Sequence, residues 1–121
     1  SENSHIIDLI DNSISSSISF IDIYKAIDIL KNCLGVTLSK LNLYYDEDIA
    51  SVYFINGIQM LERVIRNEPL QNKKLYKFIS ANHELMQIVT QGLEMANQAY
   101  HIRIPQVEIA NLVEKLLPFI K

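Results

Sequence analysis

Apolar side chains recur every three or four positions along each long segment of this chain, which is the period of an α-helix. The stretch FINGIQMLERVI shows the pattern most clearly. Four of its apolar residues fall on one stripe of a helical wheel: Phe54, Ile58, Leu61 and Ile65. Only three glycines and three prolines interrupt the 121 residues. The pattern predicts an all-α fold.

Five helices are predicted from these periods and from the residues that start and stop helices. Gly35 is expected to end the first helix, Asp46 to open the second, and Pro69 to stop it. Asn72 is expected to cap the third, and Pro105 suits the first turn of the fifth. The approximate ranges are residues 19–34, 46–67, 72–81, 83–100 and 105–120. Five helices of these lengths predict a helical bundle.

The chain divides into a short leader and one domain. Residues 1–17 are polar and rich in serine after a short apolar patch, which predicts a linker or a short leading helix. Residues 18–121 are expected to form a single helical domain, long enough to bury a core without disulfides. Residues 101–104, HIRI, alternate like a strand but are too short and isolated to build a sheet.

Composition and charge argue against a membrane protein, a secreted protein and a nucleic-acid-binding protein. Hydrophobic residues make up 49% of the chain and charged residues 21%, but no run reaches the roughly 18 apolar residues of a membrane span. The single Cys33 excludes an internal disulfide, and the start has no signal-peptide pattern. These features predict a cytoplasmic location with no membrane association. The net charge of −3 comes without a basic stripe, which predicts no direct contact with nucleic acid.

Few residues offer catalytic or metal-binding chemistry. His5, His83 and His101 lie in different segments and lack the i, i+4 spacing of a helical metal site. Cys33 is most simply a small buried residue, although a pairing with a histidine in the fold stays open. The chain contains no phosphate-binding loop and no nucleotide fingerprint. We therefore expect no cofactor and no enzyme, and the residues by themselves indicate an interaction or regulatory module.

The second predicted helix carries an unusual pair, Asn56 followed by Gly57. On a helical wheel Gly57 lies within the apolar face, where the missing side chain would let another helix come close. Asn56 lies at the border of that face, where a polar group is sheltered and still reachable. Arg63 lies on the same helix two turns after Asn56, on the side opposite the apolar stripe.

This helix and the segments after it resemble the PTS regulation domain (PRD) of bacterial sugar-operon transcription regulators. The resemblance covers residues 18–120 and is greatest to the C-terminal PRD of activators that work with an alternative sigma factor. The matching pieces keep the order and separation found in the family: Glu62–Arg63, Glu68–Pro69–Leu70, Ile104–Pro105, Glu108 and Ile109.

The resemblance implies a five-helix domain that dimerises and links the status of the sugar phosphotransferase system to transcription. Such domains are phosphorylated on histidines by the phosphocarrier HPr or by a sugar permease subunit. HPr, a permease subunit and a second copy of the chain are therefore the implied partners. A phosphoryl group adds negative charge at a dimer interface and shifts the balance between two packings.

This chain departs from the family at both phosphorylation positions. The family usually has a histidine six residues before the Glu of the Glu–Arg pair, where this chain has Asn56. It usually has a second one seven residues after the Glu that opens the last helix, where this chain has Lys115. His83 and His101 align with neither position. The resemblance therefore implies a regulatory domain that has lost its phosphoacceptors and keeps a role in dimerisation or signal relay, with Arg63 and Glu108 as supporting residues.

Two alternatives stay open. The chain could be an unrelated helical interaction or dimerisation module in which the matching residues serve only packing. It could also be an enzyme, if Cys33 lay in a cleft within reach of His83 or His101. The PRD interpretation requires the second and last helices to be adjacent, with Asn56 and Lys115 near one surface.

Overall fold

The computed structural model of the chain describes residue 6 and residues 21–120. Within this part all regular structure is helical and no strand occurs, which confirms the predicted all-α class. Six helices follow Ile6 in these residues: α1 (Ile23–Leu41), α2 (Glu47–Ile65), α3 (Leu75–Ala81), α4 (His83–Gly92), α5 (Glu94–Tyr100) and α6 (Gln106–Ile120). The predicted count of five is therefore wrong by one helix.

The predicted stop of the first helix at Gly35 is wrong, because α1 continues for another six residues. Thr37 and Leu38 are buried and extend the apolar face of the helix. Their burial outweighs the cost of about 1 kcal/mol for a glycine inside a helix. The helix ends instead at Asn42, which adopts the left-handed conformation (φ 55°) and donates its N–H to the last turn.

The predicted helix over residues 83–100 is divided at Leu93 into α4 and α5. The division is a bend and not a gap, because the N–H of Leu93 still bonds to the carbonyls of Val89 and Thr90. Leu93 itself is fully buried. Gly92 lies immediately before the bend and packs closely against α1, where an added Cβ would meet Thr37 and the carbonyl of Cys33.

α2 starts where it was predicted to, directly after Asp46, and the side chain of Asp46 caps it. Oδ1 of Asp46 accepts hydrogen bonds from the N–H of Asp48 at 2.8 Å and of Ile49 at 3.1 Å. The predicted cap of the third helix by Asn72 is wrong, because α3 begins at Leu75, with Lys74 at the cap position and no side-chain cap. Asn72 instead accepts a hydrogen bond from the N–H of Lys74 at 3.1 Å, in the turn before the helix. Residues 102–105 are irregular and form no strand, as predicted.

The core lies between α1, α2 and α6, with α3, α4 and α5 closing its remaining sides. The most extensive helix contact in the described part joins α2 to α6, and α1 packs on α2, α4 and α5. Gly57 lies at the α1–α2 contact, where an added Cβ would come within 3.1 Å of Cδ1 of Leu30. The close approach expected of Gly57 is therefore confirmed. Ile6, the one described residue of the predicted leader (residues 1–17), is helical and buried in the core; the rest of the leader lies outside the described residues.

Candidate functional site

One buried carboxylate holds together three segments that are far apart in the sequence. Glu108, in the first turn of α6, has no exposed surface. Its two oxygens accept hydrogen bonds from Nε and Nη2 of Arg63 at the end of α2, both at 2.8 Å. Oε2 also accepts the backbone N–H of Leu70 at 2.8 Å. A single side chain therefore fixes the end of α2, the loop after it and the start of α6.

This arrangement meets the physical requirements of a buried charge. An unpaired carboxylate in the core would cost several kcal/mol, whereas a bidentate guanidinium and a backbone donor satisfy both oxygens of Glu108. Arg63 keeps 28% of its side chain exposed, so its positive charge is only partly desolvated. The loop reaches the carboxylate because Asn67 takes a left-handed turn (φ 59°) directly after α2.

Asn56 lies on α2, half-buried, two turns before Arg63. Its side-chain Nδ2 donates to the carbonyl of Val52 in its own helix at 2.8 Å. The amide is thus held along the helix surface. This is the border position that the helical wheel predicted for it.

Lys115 lies on α6, two turns after Glu108, and is exposed. Its Nζ donates to Oδ1 of Asn111 at 3.3 Å. Since α2 and α6 pack together and share the Arg63–Glu108 pair, the adjacency that the PRD interpretation requires is present. That Asn56 and Lys115 border one surface stays a prediction.

Cys33 differs from His83 and His101 in its exposure to solvent. Cys33 is fully buried inside α1, next to the backbone of Ala96 in α5. His83 and His101 are both exposed. Burial raises the pKa of the Cys33 thiol above its ordinary value, which keeps it in the less reactive protonated form. The burial of Cys33 therefore gives no support to the alternative of a Cys33 nucleophile.

A second buried polar group lies beside Cys33. The ring of Tyr53 is fully buried, and its hydroxyl has no hydrogen-bond partner among the described residues. Burial raises the pKa of Tyr53 well above its ordinary value, and the nearby Cys33 adds to this shift. Both groups are thus neutral acids that the folded chain keeps protonated.

We expect the free energy of unfolding to fall as the pH rises above about 9. In the unfolded chain Cys33 and Tyr53 lose their protons near their ordinary pKa values of 9.0 and 10.0, while the folded chain retains them. The unfolded state then binds fewer protons than the folded state. Above its ordinary pKa, each group therefore lowers the free energy of unfolding by about 1.4 kcal/mol per pH unit. Urea unfolding between pH 7 and pH 11 measures this loss.

Tyr53→Phe is the matched control for this pH dependence. It removes the titrating hydroxyl and keeps the ring, so the loss above pH 10 becomes shallower. At pH 7 its effect is small, because the hydroxyl makes no hydrogen bond that would be lost. Equal unfolding free energies at pH 8 and pH 11 in the native chain would contradict the argument.

An open cleft of about 500 Å³ lies between α3, α4 and the start of α6. We call it the α3–α4 cleft, and its lining residues are Ile79, Ser80, His83, Met86, Gln87, Thr90 and Gln106. A smaller cleft of about 340 Å³ lies on the other side of His83, toward the end of α1. Cys33 lines neither cleft.

Sequence reasoning identified Arg63 and Glu108 but missed what joins them to the loop. The N–H of Leu70 is a backbone donor and has no signature in the residue pattern. Glu108 did carry a signal, since it is an acidic residue on the same stripe as the buried Leu112 of α6. The α3–α4 cleft had no sequence signal, because three separate helices form it.

Comparisons with models of known protein families, with curated proteins and with solved structures give no match to this chain. None of the helices in residues 21–120 is long and apolar enough to cross a membrane. In the same part of the chain, no three His, Cys, Asp or Glu residues come together as a metal site would require. A proposal of function therefore depends on the residues of the site and their resemblance to a family.

Proposed function

We propose that this chain is a PRD-like regulatory domain of a bacterial transcription regulator for carbohydrate metabolism. In this proposal it relays the status of the sugar phosphotransferase system through dimerisation, and its usual phosphoacceptor histidines are replaced by Asn56 and Lys115. The domain contacts neither nucleic acid nor membrane and catalyses no reaction.

The observation that carries the proposal is the environment of Glu108. The resemblance rests on three separate pieces of sequence, and one residue of each takes part in the same hydrogen-bonded cluster: Arg63, Leu70 and Glu108. Independent packing choices would give no reason for all three pieces to meet at one carboxylate. Their convergence supports a shared architecture behind the matching residues.

The two replaced positions define a site of fixed charge. An asparagine is neutral and carries no nucleophilic nitrogen that accepts a phosphoryl group. Asn56 therefore imitates a histidine that is not phosphorylated. Lys115 has a permanent positive charge on an exposed part of α6. A domain with these residues would stay in one signalling state, whereas a histidine-bearing domain switches with phosphorylation.

We expect that restoring a histidine restores phosphorylation. The chain is incubated with HPr, the general phosphotransferase of the system, sugar permease subunits and labelled phosphoenolpyruvate. The native chain takes up less than about 0.1 acid-labile phosphoryl group per molecule, whereas Asn56→His or Lys115→His approaches one, because a histidine then lies at a family position.

Two neighbouring substitutions serve as matched controls. Gln59→His places a histidine one turn from Asn56 on α2, and Glu114→His places one beside Lys115 on α6; neither is expected to accept label. Stoichiometric acid-labile label on the native chain would refute the loss of phosphoacceptors. Absence of label on both family-position variants, with each folded and HPr active on another acceptor, would favour an unrelated helical interaction module.

A further inference from the structure

Asn56 and Gly57 form the one Asn–Gly pair in the chain. Such a pair is chemically labile, because glycine has no side chain to shield its backbone nitrogen from the asparagine before it. Every other asparagine is followed by a residue whose side chain hinders that approach. Asn56 is therefore the asparagine at which an unfolded form of this chain would lose its side-chain amide fastest.

The loss of this amide is an intramolecular attack followed by hydrolysis. The backbone nitrogen of Gly57 attacks Cγ of Asn56, so that an N–Cγ bond forms and the Cγ–Nδ2 bond breaks. Ammonia leaves with the proton that the backbone nitrogen gives up, and a cyclic imide remains. Water then opens the imide at either carbonyl carbon. The product is an aspartate or an isoaspartate at position 56, with a carboxylate in place of the amide.

In the folded chain α2 holds both reacting groups in the wrong place. Nδ2 of Asn56 donates to the carbonyl of Val52 at 2.8 Å, so the side-chain amide lies along the preceding turn of the helix. The nitrogen of Gly57 is held as well, because each N–H in an α-helix is directed at the carbonyl four residues earlier, here that of Tyr53. An intramolecular attack needs reacting atoms that are close and aligned. The helix therefore blocks the attack while it remains folded.

Opening α2 at this point requires the loss of core contacts. The pair lies at the middle of the 19-residue helix, far from the ends that fray. Gly57 packs on Leu30 of α1, and Phe54 and Ile58 on either side of the pair are fully buried. The backbone around Asn56 can leave its helical conformation only if these contacts break. Exposure of the pair therefore follows the unfolding of the core.

We propose that Asn56 is a deamidation site that the folded core protects and that unfolding opens. The reaction rate then follows the fraction of molecules in which α2 is unfolded, as the cleavage of a transiently opened chain follows the open population. The folded chain loses the amide at least about a hundredfold more slowly than the unfolded chain, because unfolded molecules of a natural domain are rare. This chemistry does not depend on the phosphotransferase assignment.

Both products fit α2 less well than Asn56 does. An aspartate has no proton to donate to the carbonyl of Val52, and it places negative charge against that oxygen. An isoaspartate adds a carbon to the main chain and moves Gly57 from its contact with Leu30. Each product therefore lowers the denaturant concentration at which the chain unfolds, and a molecule that has been unfolded for long keeps a permanent chemical mark.

Peptide mapping by mass spectrometry tests the proposal on the full chain, incubated at mildly alkaline pH over a series of guanidinium chloride concentrations. Loss of the amide at Asn56 stays slow up to the unfolding transition, measured in the same samples by circular dichroism, and then rises with the unfolded fraction. Asn42 and Asn67 are internal controls, because both are exposed in turns of the folded chain but precede residues with bulky side chains. Asn56→Gln lengthens the side chain, which disfavours ring closure and removes the fast reaction.

Glu108→Ala separates protection by the fold from protection by the residues next to Asn56. It changes no neighbour of Asn56 in the sequence but removes the acceptor of the buried Arg63 guanidinium. The unfolding transition and the rise in deamidation should therefore move together to lower denaturant concentration, whereas Glu114→Ala moves neither. Equal rates at Asn56 in buffer and in concentrated denaturant would overturn the proposal. So would a Glu108→Ala chain whose unfolding transition moves while its deamidation profile stays in place.

Discussion

Replacing Glu108 by alanine is expected to lower the free energy of unfolding by about 3–5 kcal/mol, because it breaks a buried ion pair from one side. The guanidinium of Arg63 and the N–H of Leu70 both lose the acceptor that lies 2.8 Å away. The loop between α2 and α3 loses its attachment to α6 at the same time. Urea unfolding followed by circular dichroism measures the change.

Glu114→Ala is the control for this substitution. Glu114 lies on the same helix, is exposed, and should change the unfolding free energy by less than about 0.5 kcal/mol. Changing Arg63 to methionine together with Glu108 to leucine removes both charges, so this double variant recovers part of the loss and leaves only the Leu70 N–H unsatisfied. If Glu108→Ala cost no more than Glu114→Ala, the Glu108 cluster would have no structural role.

Replacing Gly92 by alanine is expected to lower the free energy of unfolding by about 1–3 kcal/mol through overpacking. A Cβ at this position would overlap Oγ1 of Thr37 and lie 3.2 Å from the carbonyl oxygen of Cys33. The backbone oxygen cannot move unless α1 shifts, so the contact between α1 and α4 must open. Thermal and urea unfolding measure the effect.

Two variants make this prediction specific. Gly35→Ala on α1 meets no atom within 4 Å, so it should raise the unfolding free energy by roughly 0.5–1 kcal/mol through helix propensity alone. Adding Thr37→Ala to Gly92→Ala removes the overlapping oxygen, which has no hydrogen-bond partner in the described residues, and should restore part of the loss. A gain in stability from Gly92→Ala alone would show that the two helices do not approach closely there.

The helices themselves follow from the sequence, whereas some of their ends do not. The start of α2 at Asp46 was predicted correctly, because it depends on local interactions: the Asp46 side chain accepts hydrogen bonds from residues two and three positions later. Gly35 failed as a stop because the burial of Thr37 and Leu38 depends on helices that are distant in sequence. The bend at Leu93 has the same origin, since Gly92 matters through its contact with α1.

Some features of the candidate site were likewise predictable from the sequence, and others were not. Asn56 was placed correctly at the border of the apolar face, because helical periodicity defines that border. Arg63 and Glu108 were selected from the resemblance, and only the folded chain shows that they form a bidentate pair with a third donor from Leu70. The α3–α4 cleft could not be predicted, because it depends on how three helices are arranged.

By itself the sequence determined that this protein is helical, which faces of its helices are apolar, and which residues stand at the two positions where the resembling family has histidines. These properties depend on side-chain period and residue identity, both of which are local. The tertiary structure alone decided where α1 ends, where α4 gives way to α5, and which groups satisfy the buried carboxylate of Glu108. Each of these depends on burial and on polar contacts between distant segments, whose free energies exceed the local preferences that oppose them.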